Sequence, residues 1–466
     1  MAQMRKRFSS VCSSSSAEDD SADLYDSVPD PAAEQDHPYA ALLCVHQVQD
    51  SLLSSNSRFT AYRGILNWII ILLVLTHAHL FLENFIQHGF LIDVKKVLEH
   101  LLEENCNWPS VNLILAANVF TVAALLFERF QEKGKLSPVN SRRLHLLNLA
   151  LLVLFPAAVI VHEPTISTGG ALVSLWVYTV LGLKLYSYQE TNSWYRQTVS
   201  IHADTCSDDS NLTLPDLYYF LVAPTLCYQR HFPRTSTVHI NKLLHRTLEM
   251  VIVTQIMVGI VQQWIEPIFQ RSEMSFTNMD IPVRVEHLVG LVAPTHFLVL
   301  LFFFLCHSYL NFCAELLRFG DRHFYGDWWN ATTLISLWEN WNIPFHKWCH
   351  RHVYTRLLEK NIPSSQAELL VFLMSAALFE FVFALPLHSC RLWIFIMMLC
   401  ELFVAVFLGG YFQGNYGNGL VWLCLLLGPP LAVTTYFHDH YVSFHHPSPS
   451  SSSSSSPPGH VFLQLR

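Results

Sequence analysis

The chain has 466 residues, of which 52% are hydrophobic and 14% charged. That balance excludes a set of soluble domains, whose cores disperse apolar residues instead of gathering them into long runs. A net charge of −8, with the acids concentrated near the amino terminus, leaves no footprint for a nucleic-acid partner. The apolar runs approach the roughly 20 residues that span a bilayer core, so the sequence predicts an all-α, polytopic integral membrane protein.

Residues 1–60 are predicted to form a cytosolic tail, its end available for an oligomer contact. Serines at 13–16 followed by Glu18, Asp19 and Asp20 are too polar to bury a core. The tail has no apolar leader run, so the first span is expected to act as its own targeting signal. Residues 61–440 form the membrane domain. About nine spans are predicted there by length, at 64–82, 111–127, 144–162, 169–188, 247–269, 287–312, 367–387, 391–410 and 418–437. The stretch 217–227 is too short to cross and is expected to lie in the interface or re-enter. Residues 441–466 form a second tail, whose Ser and Pro run at 448–458 sustains no helix.

Basic residues near span ends stay on the cytosolic side. Arg129, Lys133, Lys135, Arg142 and Arg143 place the loop after the second span there. The mixed loop carrying Lys95, Lys96, Glu99, Glu103 and Glu104 suits the lumen. The loops 189–246 and 313–366 then fall on the cytosolic side and the carboxyl terminus in the lumen. Cys306, Cys313, Cys400 and Cys424 lie in apolar runs and read as reduced, structural residues. No metal site is expected.

The densest constellation is Phe324-Tyr325-Gly326-Asp327-Trp328-Trp329-Asn330, followed by Trp338 and the stretch Asn340 to Trp348. A belt of aromatics at the headgroup level accounts for the rings. It does not account for Asp327, Asn330, Asn342 and His346, since polar groups at membrane depth are costly unless they pair or line a cavity. Pro344 suits the first turn of a helix, which puts His346 near the positive end of its dipole. The apolar face of Leu334, Ile335, Leu337, Trp338 and Trp341 predicts an amphipathic helix dipping into the membrane. Gln413, Gly414, Asn415, Tyr416, Gly417 and Asn418 read as a turn before the last span, and His438, Asp439 and His440 as interfacial.

These stretches resemble the sterol and diacylglycerol branch of the membrane-bound O-acyltransferases. FYGDWWN is similar to the branch signature, NWNIPFHKW to the stretch that follows it, and Phe412 to Asn418 to a segment of the type 1 diacylglycerol enzymes. The likeness extends upstream through Asp50 to Leu52, Tyr62 to Trp68 and Tyr218 to Tyr228. It implies a fold with an internal acyl tunnel, in the endoplasmic reticulum membrane. The implied reaction joins acyl-CoA, a co-substrate with no bound cofactor, to diacylglycerol or a similar lipid alcohol, giving triacylglycerol. It also implies a homo-oligomer among membrane lipids. Substrate contacts would fall on Phe324, Tyr325, Asp327, Trp328, Trp329, Asn330 and the 413–418 segment, with Asn342 and His346 supporting catalysis. For His346 a headgroup contact stays open beside that role.

In such enzymes a histidine in a late span takes the proton of the acceptor hydroxyl, normally beside a glutamate. Here Phe379 stands at the histidine position and Glu380 remains. Phenylalanine accepts no proton. Two readings follow: an acyltransferase with reduced or lost turnover, or a pseudoenzyme that binds acyl-CoA and lipid and modulates an active paralogue. For Glu380, a surviving polar tunnel and a paired structural role both stay open. His388, nine helical residues or about 13.5 Å of rise further on, would face elsewhere.

Overall fold

A computed structural model describes residues 109–201 and 212–445, apart from 164, 273–278, 293–295 and 413, together with 46, 48–49, 51–52, 63–76 and 86. The Ser/acidic run, the loop carrying Lys95 and Lys96, Gln413 and the 448–458 run lie outside the described residues.

The described chain is helical throughout its long elements. Helix α1 is Arg63–Thr76, α2 Pro109–Glu132, α3 Pro138–His162, α4 Thr168–Ile201 and α5 Leu214–Val222. Helix α6, Ile240–Ile260, runs through a π-turn to Gln270. Then come α7, Ile281–Val292, and α8, His296–Phe302, which continues through a second π-turn to Leu316. The loop that follows holds α9, Leu334–Trp341, and α10, Ile343–Cys349, prolonged to Glu359. The chain closes with α11 Ser364–Ala384, α12 Trp393–Phe403, α13 Gly414–Leu427 and α14 Pro429–His445.

Among the described residues, seven helical segments are long and apolar enough to cross a membrane: 109–132, 138–162, 168–198, 240–270, 281–316, 364–384 and 414–444. Of the other two predicted spans, the first is described over Arg63–Thr76 and its remainder lies outside the described residues. The run 391–410 narrows to Trp393–Leu408, because Leu392 sits in the left-handed region at φ 58° and starts the helix late. Boundaries read from hydropathy alone also stopped short of the helices. Helix α4 continues past 188 to Ile201, its emergent end held by the Arg196 guanidinium on buried Glu128, which also pairs with His145 at 2.9 Å. His388 is not on α11 at all: the helix ends at Ala384 and His388 occupies a turn at φ 49°.

The stretch 217–227 is built into the protein core. Ser/Thr capping starts α5, with the Thr213 hydroxyl accepting from the Asp216 N–H at 3.4 Å. Its far end is closed from outside. The buried Lys184 ammonium donates to the carbonyls of Phe220, Leu221 and Ala223 at 3.0, 2.7 and 2.7 Å. These are carbonyls a helix end leaves without an intrahelical partner.

The described residues 46, 48–49 and 51–52, read from sequence as the end of the tail, are docked on the membrane domain. His46 is buried, with Nδ1 3.0 Å from Asp321 and Nε2 2.9 Å from the Cys227 carbonyl. The Gln49 N–H donates to Gly320, and the Arg322 N–H returns to the Gln49 carbonyl. His46 and Gln49 are therefore part of the packing around Cys227 and the 320–322 loop.

Connections at each end of the spans touch one another. At one end Arg129 donates to the Leu212 carbonyl and Asn418 meets the 329–331 loop. At the other, Thr168 lies 3.1 Å from His440, Arg391 pairs with Asp439, and Ser272 lies 3.2 Å from His287. With the basic loop on the cytosolic side, a tag near Lys135 should be cut by protease added outside intact microsomes, and a tag after His460 should be protected. The reverse digestion pattern would invert the orientation.

Candidate active site

The FYGDWWN loop is a knot of aromatic packing whose backbone is read by asparagines. Trp328 packs between Phe302, Trp341 and Trp422, with ring centroids at 5.8, 4.6 and 5.6 Å. A single 3-10 turn, Trp328–Asn330, presents the Trp329 carbonyl inward. That oxygen accepts from Asn418 Nδ2 at 2.8 Å and from Trp422 Nε1 at 3.3 Å. The same Asn418 amide donates to the Ala331 carbonyl at 2.8 Å, and its oxygen accepts from Asn67 at 2.6 Å. Asn330 accepts from the Gly64 N–H at 2.6 Å. A Cβ on Gly64 would overlap the Trp329 carbonyl, and one on Gly417 would collide with the Thr332 carbonyl. These two glycines are required by close backbone approach.

The predicted binding residues thus divide. Phe324, Tyr325, Trp328, Trp329, Gly417 and Asn418 are buried and hold the loop together. Asp327 and Asn330 are half-buried. Gly414, Asn415 and Tyr416 are exposed, Tyr416 at 82%. The predicted turn at 414–418 is instead the first turn of α13, entered through Gly414 at φ 57°.

Tyr325 is wired to the spans. Its hydroxyl lies 2.6 Å from His307 Nδ1, and Arg246 donates to His307 Nε2 at 2.6 Å. Because a guanidinium only donates, Nε2 is the acceptor and Nδ1 carries the hydrogen. Sequence reading missed this network. Its signal was a histidine and an arginine inside apolar runs.

Gly326 donates to the Asn340 carbonyl at 2.8 Å and Ile343 to the Phe324 carbonyl at 3.1 Å, so the loop is stitched to α9 and α10. Helix α9 buries Leu334 and Leu337 of its predicted apolar face against the protein and leaves Ile335 exposed. Asn342 is the N-cap of α10, its side chain accepting from the Phe345 N–H at 3.2 Å, with Pro344 in the first turn. Burial, with His350 nearby, pushes the His346 pKa down to about 4, so its imidazole is neutral at pH 7. At Asp321, which pairs with the neighbouring Lys347, burial raises the carboxyl, but His46 and the Lys347 ammonium outweigh it and hold it below its ordinary value.

Phe379 and Glu380 point apart. Phe379 is 46% exposed. Glu380 is buried, and its two carboxyl oxygens accept from the Tyr436 hydroxyl and, at 3.1 Å, from the Phe395 N–H. Phe395 lies in the first turn of α12, so Glu380 is a remote cap for that helix. Of the two readings of Glu380, the geometry selects the paired structural role. His438 and Asp439 are likewise buried in α14, at the end of the spans where Arg391 fixes Asp439.

A model of the membrane-bound O-acyltransferase family matches residues 172–438. The human protein named diacylglycerol O-acyltransferase 1 is 45% identical over 410 residues, covering 85% of this chain and 84% of its own. The Bos taurus protein of that name is 44% identical over 414 residues, 85% of each chain. Diacylglycerol O-acyltransferase 1C of Glycine max is 33% identical over 433 residues, 88% of this chain and 81% of its own. With its apolar helices and its matched span from 172 to 438, this chain is a multi-pass member of the membrane-bound O-acyltransferase family.

Proposed function

We propose that the protein transfers an acyl group from acyl-CoA to diacylglycerol, forming triacylglycerol in the endoplasmic reticulum membrane, and that it does so as a homo-oligomer. The observation that carries this reading is the meeting of three separated motifs at one end of the spans. FYGDWWN, the Asn342–His346 turn and the Gly417–Asn418 turn are joined there by direct hydrogen bonds and close backbone contacts. The 45% identity to an enzyme named for the diacylglycerol reaction supports the acceptor. An acyl-CoA needs a polar mouth continuous with an apolar channel, and the half-buried polar groups Asp327, Asn330 and His346 supply the first beside the aromatic cluster.

His346 is neutral at pH 7, so its contribution to binding the anionic co-substrate is a hydrogen bond and not a charge. One such bond is worth about 0.5–1.5 kcal/mol. His346→Ala should therefore weaken acyl-CoA binding by roughly 2- to 10-fold, measured with labelled acyl-CoA on purified protein. Asn342→Ala should weaken it through loss of the α10 cap. Failure of the unmodified protein to bind acyl-CoA at all would make the motifs relics.

One observation favours the second reading, a lipid-binding relative with impaired turnover: Phe379 at the histidine position, with Glu380 engaged elsewhere. Binding without product would select it.

A further inference from the structure

Glu401 is the one charged residue in the apolar run Trp393–Leu408, and it is buried at 6% exposure. Among the described residues the other buried carboxyls are all engaged. Glu128 meets His145 and Arg196, Glu266 meets Gln270, and Glu315 meets Arg322. Asp321 meets His46 and Lys347, Glu380 meets Tyr436, and Asp439 meets Arg391. The Glu401 carboxyl has no hydrogen-bond or ion-pair partner among the described residues.

The cause lies in what faces it. Its Oε1 rests against Gly428, where a Cβ would collide with it. Helix α14 begins just beyond, and a helix start ordinarily offers N–H donors to a carboxylate. Pro429 and Pro430 have no N–H, and the Leu431 N–H already bonds the Gly428 carbonyl at 3.1 Å. The chain thus makes room for a carboxyl and offers it no helix N–H, and the titratable neighbour beside it is the Cys424 thiol. A carboxyl at membrane depth is costly unless it pairs or lines a cavity. Glu401 also shares the α11–α12 pair with Phe379. Since Phe395 meets Glu380, Glu401 lies six residues or about 9 Å of rise further along α12. That direction leads toward the start of α13 and the FYGDWWN loop.

We propose that the Glu401 carboxyl receives the hydroxyl of the acceptor lipid and takes its proton, supplying the base that Phe379 does not. This role rests on the acyl-transfer reading. The hydroxyl oxygen attacks the thioester carbonyl carbon as its O–H proton passes to Glu401. The new C–O bond forms and the C–S bond breaks. The proton then moves to the departing thiolate, releasing coenzyme A and restoring the carboxylate.

The test is acyl transfer from labelled acyl-CoA to diacylglycerol by full-length protein in nanodiscs, for the unmodified chain, Glu401→Gln and Glu401→His. Glu401→Gln is close in shape and should lose about 10²-fold or more in rate while still binding acyl-CoA. Glu401→His keeps a proton acceptor and should retain more rate than Glu401→Gln, which a merely structural role would not produce. An active unmodified protein whose rate is unchanged in Glu401→Gln overturns the inference alone. Absence of product from the unmodified protein overturns the acyl-transfer reading, and this role with it.

Discussion

In the Glu401→Gln background, Phe379→His should raise the rate of triacylglycerol synthesis by about 10²-fold, the low end of the 10² to 10⁴ that a positioned base contributes. Two features set that figure. Phe379 is 46% exposed on α11, so a histidine there would not be packed among the protein's own side chains. It therefore has the freedom to reach a substrate. Its neighbour, however, is committed: Glu380 already holds the Tyr436 hydroxyl on one oxygen and the Phe395 N–H on the other, which fixes its carboxyl toward α12 and α14. An unoriented base delivers less than a fixed one. Measuring synthesis by both forms in cells lacking other diacylglycerol acyltransferases decides the matter. Equal rates would mean that position 379 does not reach the reacting hydroxyl.

Replacing Glu380 itself should cost stability before it costs chemistry. Glu380→Leu removes the acceptor for two buried donors, and each orphaned group costs about 1–3 kcal/mol. The Tyr436 hydroxyl also accepts from the Arg391 and Trp393 N–H groups at 3.2 and 3.1 Å, so the start of α12 and the middle of α14 loosen together. Glu380→Gln keeps one carbonyl oxygen for the Phe395 N–H and should fall between the two. Thermal unfolding of detergent-purified protein should give the order wild type, Gln, Leu. A catalytic dyad role predicts the contrary: Leu would melt with the wild type while activity collapsed.

Much of the architecture was legible because lipid permits few solutions. With no water at depth, backbone groups bond within helices, so apolar length alone located the spans. It failed where helices emerge into polar surroundings, as at α4, whose last turns are held by Glu128 and Arg196, partners far away in sequence. Sequence also located the motif loop and the α10 cap, since Asn342 and Pro344 act on residues three or fewer positions away. What local pattern does not encode is long-range pairing. Glu380 meets Tyr436 across 56 positions, Asn418 reaches Trp329 across 89, and His46 reaches Asp321 across 275. Glu401 was different: an acid isolated in an apolar run is visible in the sequence. Only the structure distinguishes it from the other buried acids, by showing that they are partnered and it is not.

The most direct test of a working acyltransferase in this fold is product formation by the purified, unmodified chain in nanodiscs, given labelled long-chain acyl-CoA and diacylglycerol. Labelled triacylglycerol should accumulate with time and protein, at a rate above that of Glu401→Gln. Saturable acyl-CoA binding with no triacylglycerol at any protein concentration would contradict it, and would leave a protein that binds the co-substrate without using it.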